Sequence, residues 1–437
     1  MMDGFVTSKK RKAKQVVGDD GDDEPTDVKL AILSSLHPAI DQETLLECLL
    51  AHDGSVQATS GSLKTETAGL TGRSPRKAPS SQVHSQSSLR SWSTPASTSK
   101  RAKLLSRKGA TLHLFDPEDI AAHTPCTVIH NFLPSDEANL LLVELLQEAQ
   151  TFEKITFKLF DHVVSSPHTS AFYVETDQEL DQQTSEYVYN GGKLTDVRKI
   201  TPQLLKVKTR VQEAVNREIQ ERIRTHQGGK KLKYQSPHPW SPNVAFVNCY
   251  SGAEESVGWH SDQLTYLGPR AVIGSLSLGV AREFRVRRIL PKETDDDNSS
   301  NKNNNSNPDA QGQIAIHLPH NSLLVMHAEM QEEWKHSIAP ASVIDPHPVA
   351  GARRINVTYR DYRDAFHPRH TPRCSCGVAT VLRVVQRKKG NWGRYFWMCH
   401  AGNVPGKQGC TFFQWAEFDD DGNPATSRPG QQQQAKE

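Results

Sequence analysis

Apolar residues along this chain follow two periods. Residues 136–149 (DEANLLLVELLQEA) come after the turn Leu133-Pro134-Ser135 and place apolar side chains every three or four positions, which predicts an amphipathic helix. A longer helix is predicted after Thr201-Pro202, a capping residue followed by proline at the first helical position. Its stripe is Val207, Val211, Val215, Ile219 and Ile223. From residue 244 the period drops to two. Segments 244–250 (VAFVNCY), 272–278 (VIGSLSL), 283–289 (EFRVRRI), 313–318 (QIAIHL), 322–327 (SLLVMH) and 354–360 are short, rich in β-formers and bounded by Gly, Pro or Asn. Many short strands after early helices predict an α+β domain over 109–368. Its expected form is a double-sheet jelly roll, a double-stranded β-helix with supporting helices.

The rest of the chain breaks both periods. Residues 1–26 are charged and read as a disordered tail. Residues 27–64 form a small helical domain, with Leu30, Ile32, Leu33 and Leu36 on one stripe and Leu45, Leu46, Leu49 and Leu50 on the next. Residues 65–108, rich in Ser, Thr, Pro, Lys and Arg, read as a flexible linker. Residues 292–312, Asn- and Asp-rich, read as a disordered insertion between strands. Residues 369–420 are basic and cysteine-bearing, and 421–437 are a polar tail.

Composition adds three bounds. Hydrophobic residues make up only 36% of the 437, in keeping with the disordered stretches. No apolar run reaches membrane-span length, and the N-terminus has no signal-peptide core, so no membrane partner is expected. Four of the seven cysteines fall within 374–410, which fits a metal site in a reducing compartment better than a disulfide framework. The run Lys9, Lys10, Arg11, Lys12, Lys14 reads as a nuclear-import signal.

The chemistry concentrates in two places. In WHSD, His260 and Asp262 stand two apart, so an extended backbone puts them on one side. A distal histidine would complete the two-His-one-carboxylate triad of non-haem Fe(II) oxygenases; His336 is the first choice, with His327 and His320 as rivals. Then Arg354, Asn356, Thr358 and Arg360 alternate with Ile355, Val357 and Tyr359. Two arginines on one inward face need an anionic partner, and a dicarboxylate fits. Asn248 and Tyr250 share a strand face with Val244 and Phe246, so an apolar surface opens there into a polar pocket.

In order, Asn248-x-Tyr250, His260-x-Asp262, His336 and Arg354-x-Asn356-x-Thr358-x-Arg360 resemble the signature of the AlkB family of Fe(II)/2-oxoglutarate dioxygenases over roughly 110–365. The resemblance implies iron held by His260, Asp262 and His336. It implies 2-oxoglutarate bound by Asn248, Tyr250 and Arg354, with Arg360 closing the near side of the pocket. The implied reaction is oxidative demethylation of N-alkylated bases such as 1-methyladenine and 3-methylcytosine in DNA. The base must be flipped or single-stranded, and Phe172, Tyr173, Tyr187 and Tyr189 are candidates to stack on it. The 292–312 insertion and Gln263 depart from the family pattern. An RNA demethylase or protein hydroxylase on the same scaffold, or a non-enzymatic adaptor, is the alternative.

Residues 374–410 hold Cys374, Cys376, Cys399 and Cys410, a set suited to a closed tetrahedral Zn site. His400 is a second-choice ligand. The order CxCG, NxGRxFxxC, CxFFxW resembles a GRF-type zinc finger, which implies single-stranded DNA binding. Arg383, Arg387, Lys388, Lys389 and Arg394 can track phosphates, while Trp392, Tyr395, Phe396 and Trp415 can stack bases. The Leu36-His37-Pro38 corner and Asp53-Gly54-Ser55-Val56 resemble a CUE-type bundle, which implies ubiquitin as a partner; the family's Phe-Pro corner is Leu-His-Pro here.

Overall fold

The computed structural model divides into two units, Met1–Ala78 and Pro79–Glu437. It describes residues 33, 45, 48–49, 52 and 55–67 of the first, and 110–159, 162–186, 188–189, 192–193, 196–291, 312–403 and 408–425 of the second. In the first unit, Val56–Thr67 is a helix whose start is held by Ser55, which accepts the Ala58 N–H on its hydroxyl at 3.2 Å. Leu33, Leu45, Leu49 and Leu63 are buried. The tail 1–26, the linker 65–108 beyond Thr67 and the insertion 292–312 up to its last residue lie outside the described residues.

The second unit contains the strands β1 (Thr111–Leu114), β2 (Cys126–Ile129), β3 (Thr156–Leu159), β4 (His162–Ser165), β5 (Thr169–Val174), β6 (Val188–Tyr189), β7 (Gly192–Lys193) and β8 (Val197–Lys199). They continue as β9 (Val244–Ser251), β10 (Val257–His260), β11 (Ile273–Gly279), β12 (Arg282–Arg288), β13 (Gln313–Leu318), β14 (Ser322–Met326), β15 (Trp334–Ile338) and β16 (Arg353–Arg360). Two sheets dominate. The larger has the order β2-β14-β11-β16-β9-β5-β8 and the smaller β1-β13-β12-β15-β10. Facing sheets with these crossovers form the expected jelly roll. Each of the six strands expected from the alternation is present within a residue or so of its expected bounds.

The helices Ser135–Glu148 and Pro202–His226 cover the outer face of the larger sheet. Leu141, Leu145, Val207, Val211 and Val215 meet Val247, Leu276, Val325, Ile355, Val357 and Tyr359 there. The second core, between the sheets, holds Ile273, Leu324, Met326, Phe284, Val286, Ile316 and Ile338. Thr201 stands at the N-cap with Pro202 following, as expected, but its side chain makes no cap bond to the helix. Its hydroxyl donates to Glu144, whose carboxylate also accepts the N–H groups of Gln203 at 3.2 Å and Leu204 at 3.3 Å. An acid on one helix therefore caps the next, where the helix dipole favours negative charge.

The turn from β11 to β12 requires glycine. Gly279 has φ +86°, and a Cβ there would lie 2.3 Å from the Arg353 carbonyl oxygen. Because that oxygen is backbone, Gly279→Ala should destabilise the fold by about 1–3 kcal/mol, seen as a lower midpoint in thermal unfolding.

Candidate metal and co-substrate site

Strand pairing brings the distant histidine home. β10 pairs antiparallel with β15, and the register sets His260 opposite His336, with an irregularity between Val257 and His260. Asp262 lies just past β10, where its N–H donates to the Gln331 side-chain oxygen at 2.6 Å. Asp262 Oδ1 is 3.6 Å from His260 Nε2 and 3.3 Å from His336 Nε2. His260 Nδ1 donates to the Gly258 carbonyl at 2.8 Å, which leaves Nε2 as the lone-pair nitrogen. Burial and the neighbouring His336 push His260 down to about 4, so its imidazole is neutral and able to ligate. Burial alone would raise the Asp262 carboxyl, but Arg360 and the two imidazoles hold it well below the usual carboxylate range. One anion and two imidazoles converging from one side are a donor set that fits a divalent iron with open positions.

The co-substrate pocket follows from β16. Its register pairs Asn356 with Ser277 and Asn248, and Arg354 with Gly279 and Tyr250. Since Ile355, Val357 and Tyr359 face the helices, Arg354, Asn356, Thr358 and Arg360 face between the sheets. Arg354 is 1% exposed. Its Nη2 donates to Ser277 Oγ and to Asn356 Oδ1, both at 2.8 Å, while Nε and Nη1 have no partner. Burial pushes this guanidinium down to about 10, still charged at neutral pH. Its centre lies 5.3 Å from the Tyr250 ring, and Asn248 Oδ1 is buried without a partner nearby in register. A buried cation with two idle donors is costly unless an anion binds there, so these residues fit the carboxylate of a 2-oxoglutarate.

Three expected contributors act differently from the sequence reading. Arg360 donates Nε and Nη2 to Asp262 Oδ2 at 3.0 and 2.6 Å, so on the metal side of the site it holds the carboxylate ligand. Asn356 Nδ2 donates to Thr358 Oγ1 at 2.8 Å, and these two side chains orient Arg354 from behind. Ser275, Ser277 and His168 were not anticipated. The serines alternate along SLSLG and present hydroxyls to Asn356 and Arg354. His168 stacks on Tyr250 with ring centroids 4.7 Å apart.

The rival histidines are elsewhere. His327 is buried, lies 3.2 Å from Thr127 Oγ1, and is pushed down to about 3 by burial and Arg222. His320 accepts the Gly279 N–H at 3.1 Å and lies against the His347 ring. Phe172 and Tyr173 are core residues at 1% and 0% exposure and cannot stack on a base. Tyr187 lies outside the described residues, as does the side chain of Tyr189. A further grouping, His113, Glu283 and His317, sits on the outer face of the smaller sheet. There the two imidazoles bond each other at 2.9 Å, and Glu283 Oε2 accepts from both Nε and Nη2 of Arg285.

The finger strands are β17 (Val381–Val384), β18 (Tyr395–Met398) and β19 (Phe413–Trp415), paired in that order. Cys374, Cys376, Cys399 and Cys410 converge, with sulfurs all within 4.8 Å of one another, and His400 is not among them. The N–H groups of Ala401 and Cys410 point at Cys399 Sγ at 3.3 and 3.4 Å, and the four-sulfur set fits zinc. Trp392, Arg387, Lys388, Lys389 and Arg394 are exposed, and Arg394 lies 3.7 Å over the Trp415 ring. Arg383 is half-buried, and burial lowers its pKa. Tyr395 is buried against the catalytic domain, so it does not stack bases.

The family comparisons agree with this geometry. A model of the 2OG-Fe(II) oxygenase superfamily matches residues 125–360, more than half of the chain, and the GRF zinc finger model matches 372–419. The chain belongs to the 2OG-Fe(II) oxygenase superfamily. Its oxygenase domain is AlkB-like and precedes a GRF zinc finger, so the cofactors are Fe(II), 2-oxoglutarate and zinc. Over 126 residues it is 33% identical to the DNA oxidative demethylase ALKBH2 of Arabidopsis thaliana, covering 27% of this chain and 37% of that one. Over 132 residues it is 33% identical to the alpha-ketoglutarate-dependent dioxygenase alkB homolog 3 of Mus musculus, covering 30% and 40%. The matches thus span well under half the length of these relatives. A solved structure titled "The structure of OsALKBH1" is similar at a TM-score of 0.35 and 15% identity, over 55% of this chain and 98% of that one.

Three substitutions separate the ligand assignments. Asp262→Ala should abolish Mn(II) binding read by electron paramagnetic resonance while thermal unfolding stays cooperative. His327→Ala should leave that binding intact; loss of metal there with retention in His336→Ala would reverse the assignment. Arg354→Ala removes one side of a buried charge pair, worth about 3–5 kcal/mol. It should therefore weaken 2-oxoglutarate by at least about a hundredfold in calorimetry with Mn(II).

Proposed function

We propose that the protein is a nuclear DNA-repair dioxygenase that uses Fe(II) and 2-oxoglutarate to demethylate N-alkylated bases such as 1-methyladenine and 3-methylcytosine. The single observation that carries this reading is Arg354, a buried guanidinium with two idle N–H groups on the strand that also supplies Arg360 to the His260–Asp262–His336 cluster. The choice of DNA is supported by the similarity to the Arabidopsis DNA oxidative demethylase and by the exposed cations and Trp392 of the finger. The basic run at Lys9–Lys14 supports the nuclear location. For the ubiquitin reading of the N-terminal unit, the support is the Leu-His-Pro corner; Leu33, Leu45, Leu49 and Leu63 are buried rather than offered to a partner.

In this reading His260, Asp262 and His336 hold the iron from one side. When bound with its co-substrate and oxygen, the iron supplies the power to hydroxylate an N-methyl carbon, and the N-hydroxymethyl base releases formaldehyde. Arg354 binds the far carboxylate of 2-oxoglutarate through Nε and Nη1, held in place by Ser277 and Asn356. Asn248 and Tyr250 line the same pocket. Arg360 fixes the second oxygen of Asp262, so that one oxygen faces the metal. Dry walls of Val286, Phe284 and Ile338 behind His336 exclude water from that side. A stacked duplex base cannot enter, so the substrate is single-stranded or flipped.

Mass spectrometry of oligonucleotides carrying 1-methyladenine or 3-methylcytosine should show loss of one methyl group per base after incubation with protein, Fe(II) and 2-oxoglutarate. Succinate formation with intact methylated DNA, alongside oxidation of methylated RNA or a peptide, would transfer the function to that substrate. On the finger, Trp392→Ala should weaken single-strand binding by about 1–3 kcal/mol if the ring stacks a base. Arg387→Ala should instead flatten the log-affinity against log-salt slope by roughly 0.7. Fluorescence anisotropy across a salt series reads both.

A further inference from the structure

The finger shares a core with the catalytic domain. Leu382, Tyr395 and Trp397 of the finger are buried in one cluster with Leu264 and Phe366 of the oxygenase, with Tyr234, Phe412 and Phe418 packed against it. Polar contacts follow the same seam. Leu382 N–H donates to Thr265 Oγ1 at 3.3 Å, and the Tyr395 hydroxyl donates to Glu332 Oε1 at 3.0 Å. Behind the finger, the turn at Asp419–Asn423 is tied down by Lys231, by Arg363 and by the Tyr234 N–H. Gly422, at φ +73°, comes so close that a Cβ would lie 2.1 Å from the Tyr234 carbonyl oxygen.

The seam falls on the segments that carry the iron ligands. Gln386 of the finger donates its amide to the Gln331 carbonyl at 3.0 Å, and lies 3.4 Å from both the Glu332 carbonyl and Ser261 Oγ. Gln331 in turn accepts the Asp262 N–H on its side chain. Ser261 Oγ donates to the Trp334 carbonyl at 2.9 Å, two residues before His336. A single finger side chain thus reaches both the peptide before Asp262 and the helix (Met330–Glu333) before His336.

We propose that the zinc finger is a fixed brace of the iron site, with Gln386 as a positioning residue that holds Ser261 and Gln331 so that Asp262 and His336 meet the metal. Metal occupancy of the finger and co-substrate binding in the oxygenase are then coupled through this seam. The inference rests on the iron and 2-oxoglutarate reading above.

The test uses the full chain, with zinc content measured by mass spectrometry and 2-oxoglutarate affinity measured by calorimetry in the presence of Mn(II). Gln386→Ala removes the part-buried hydrogen bonds across the seam and should weaken 2-oxoglutarate by about tenfold, while one zinc is retained. Gly422→Ala should push the Asp419–Asn423 turn off Tyr234 and do the same through a different contact, again with zinc retained. Cys410→Ser should lose zinc and affinity together. If Gln386→Ala and Gly422→Ala both keep zinc and bind 2-oxoglutarate as the unaltered chain does, the brace is refuted. If the unaltered chain itself binds no 2-oxoglutarate with Mn(II), the iron-site reading fails instead.

Discussion

A strand covered by helices on one side has no freedom on the other. β16 sits at the centre of the larger sheet, and Ile355, Val357 and Tyr359 are fixed under the helices Ser135–Glu148 and Pro202–His226 by apolar burial. The pleat then drives Arg354, Asn356, Thr358 and Arg360 into the space between the sheets. Shifting the register by one residue would bury two arginines against leucines and valines. The same packing that stabilises the fold therefore delivers the charged groups to the site, and each arginine needs an anion there. Arg360 finds one in Asp262. Arg354 finds none among the described residues and has two donors idle.

That division explains the electrostatics of the cluster. Burial by itself would make the Asp262 carboxylate tend to take up a proton, and the two imidazoles and Arg360 oppose this. The guanidinium of Arg360 holds one oxygen, leaving the other to face His260 and His336. One strand thus serves both the ligand set, through Arg360, and the co-substrate pocket, through Arg354, and the side-chain hydrogen bonds Arg354–Asn356–Thr358 run along it. Ser275 and Ser277 of β11 support that chain from the neighbouring strand.

What the sequence made legible were the features with a period. The alternation ARRINVTYR, the HxD spacing and the helical valine stripe each state which side a residue takes, and the sheet obeys them. The pairing of β10 with β15, which selects His336 over His327 and His320, carries no such mark, because register between segments some seventy residues apart is decided by the whole sheet. Spacing put Arg360 on the inward face, but its partner there, Asp262, is decided by the loop that follows β10. Phe172 and Tyr173 look like a stacking platform in isolation, yet β5 lies inside the larger sheet and buries both.

The finger shows where local reading ends. Zinc ligands announce themselves by spacing, and a short basic segment with aromatic residues reads as a self-contained nucleic-acid module. Tyr395 and Trp392 stand three residues apart and look equivalent, but one hydroxyl is bonded to Glu332 under the oxygenase while the other ring is open to solvent. A segment this small has little interior to hide Leu382, Tyr395 and Trp397. Closing them against Leu264 and Phe366 removes that surface from water, and the direction of closure leaves Trp392 and the Arg387–Lys389 run facing outward. A zinc site that completes its core on the catalytic domain cannot then tumble independently of it.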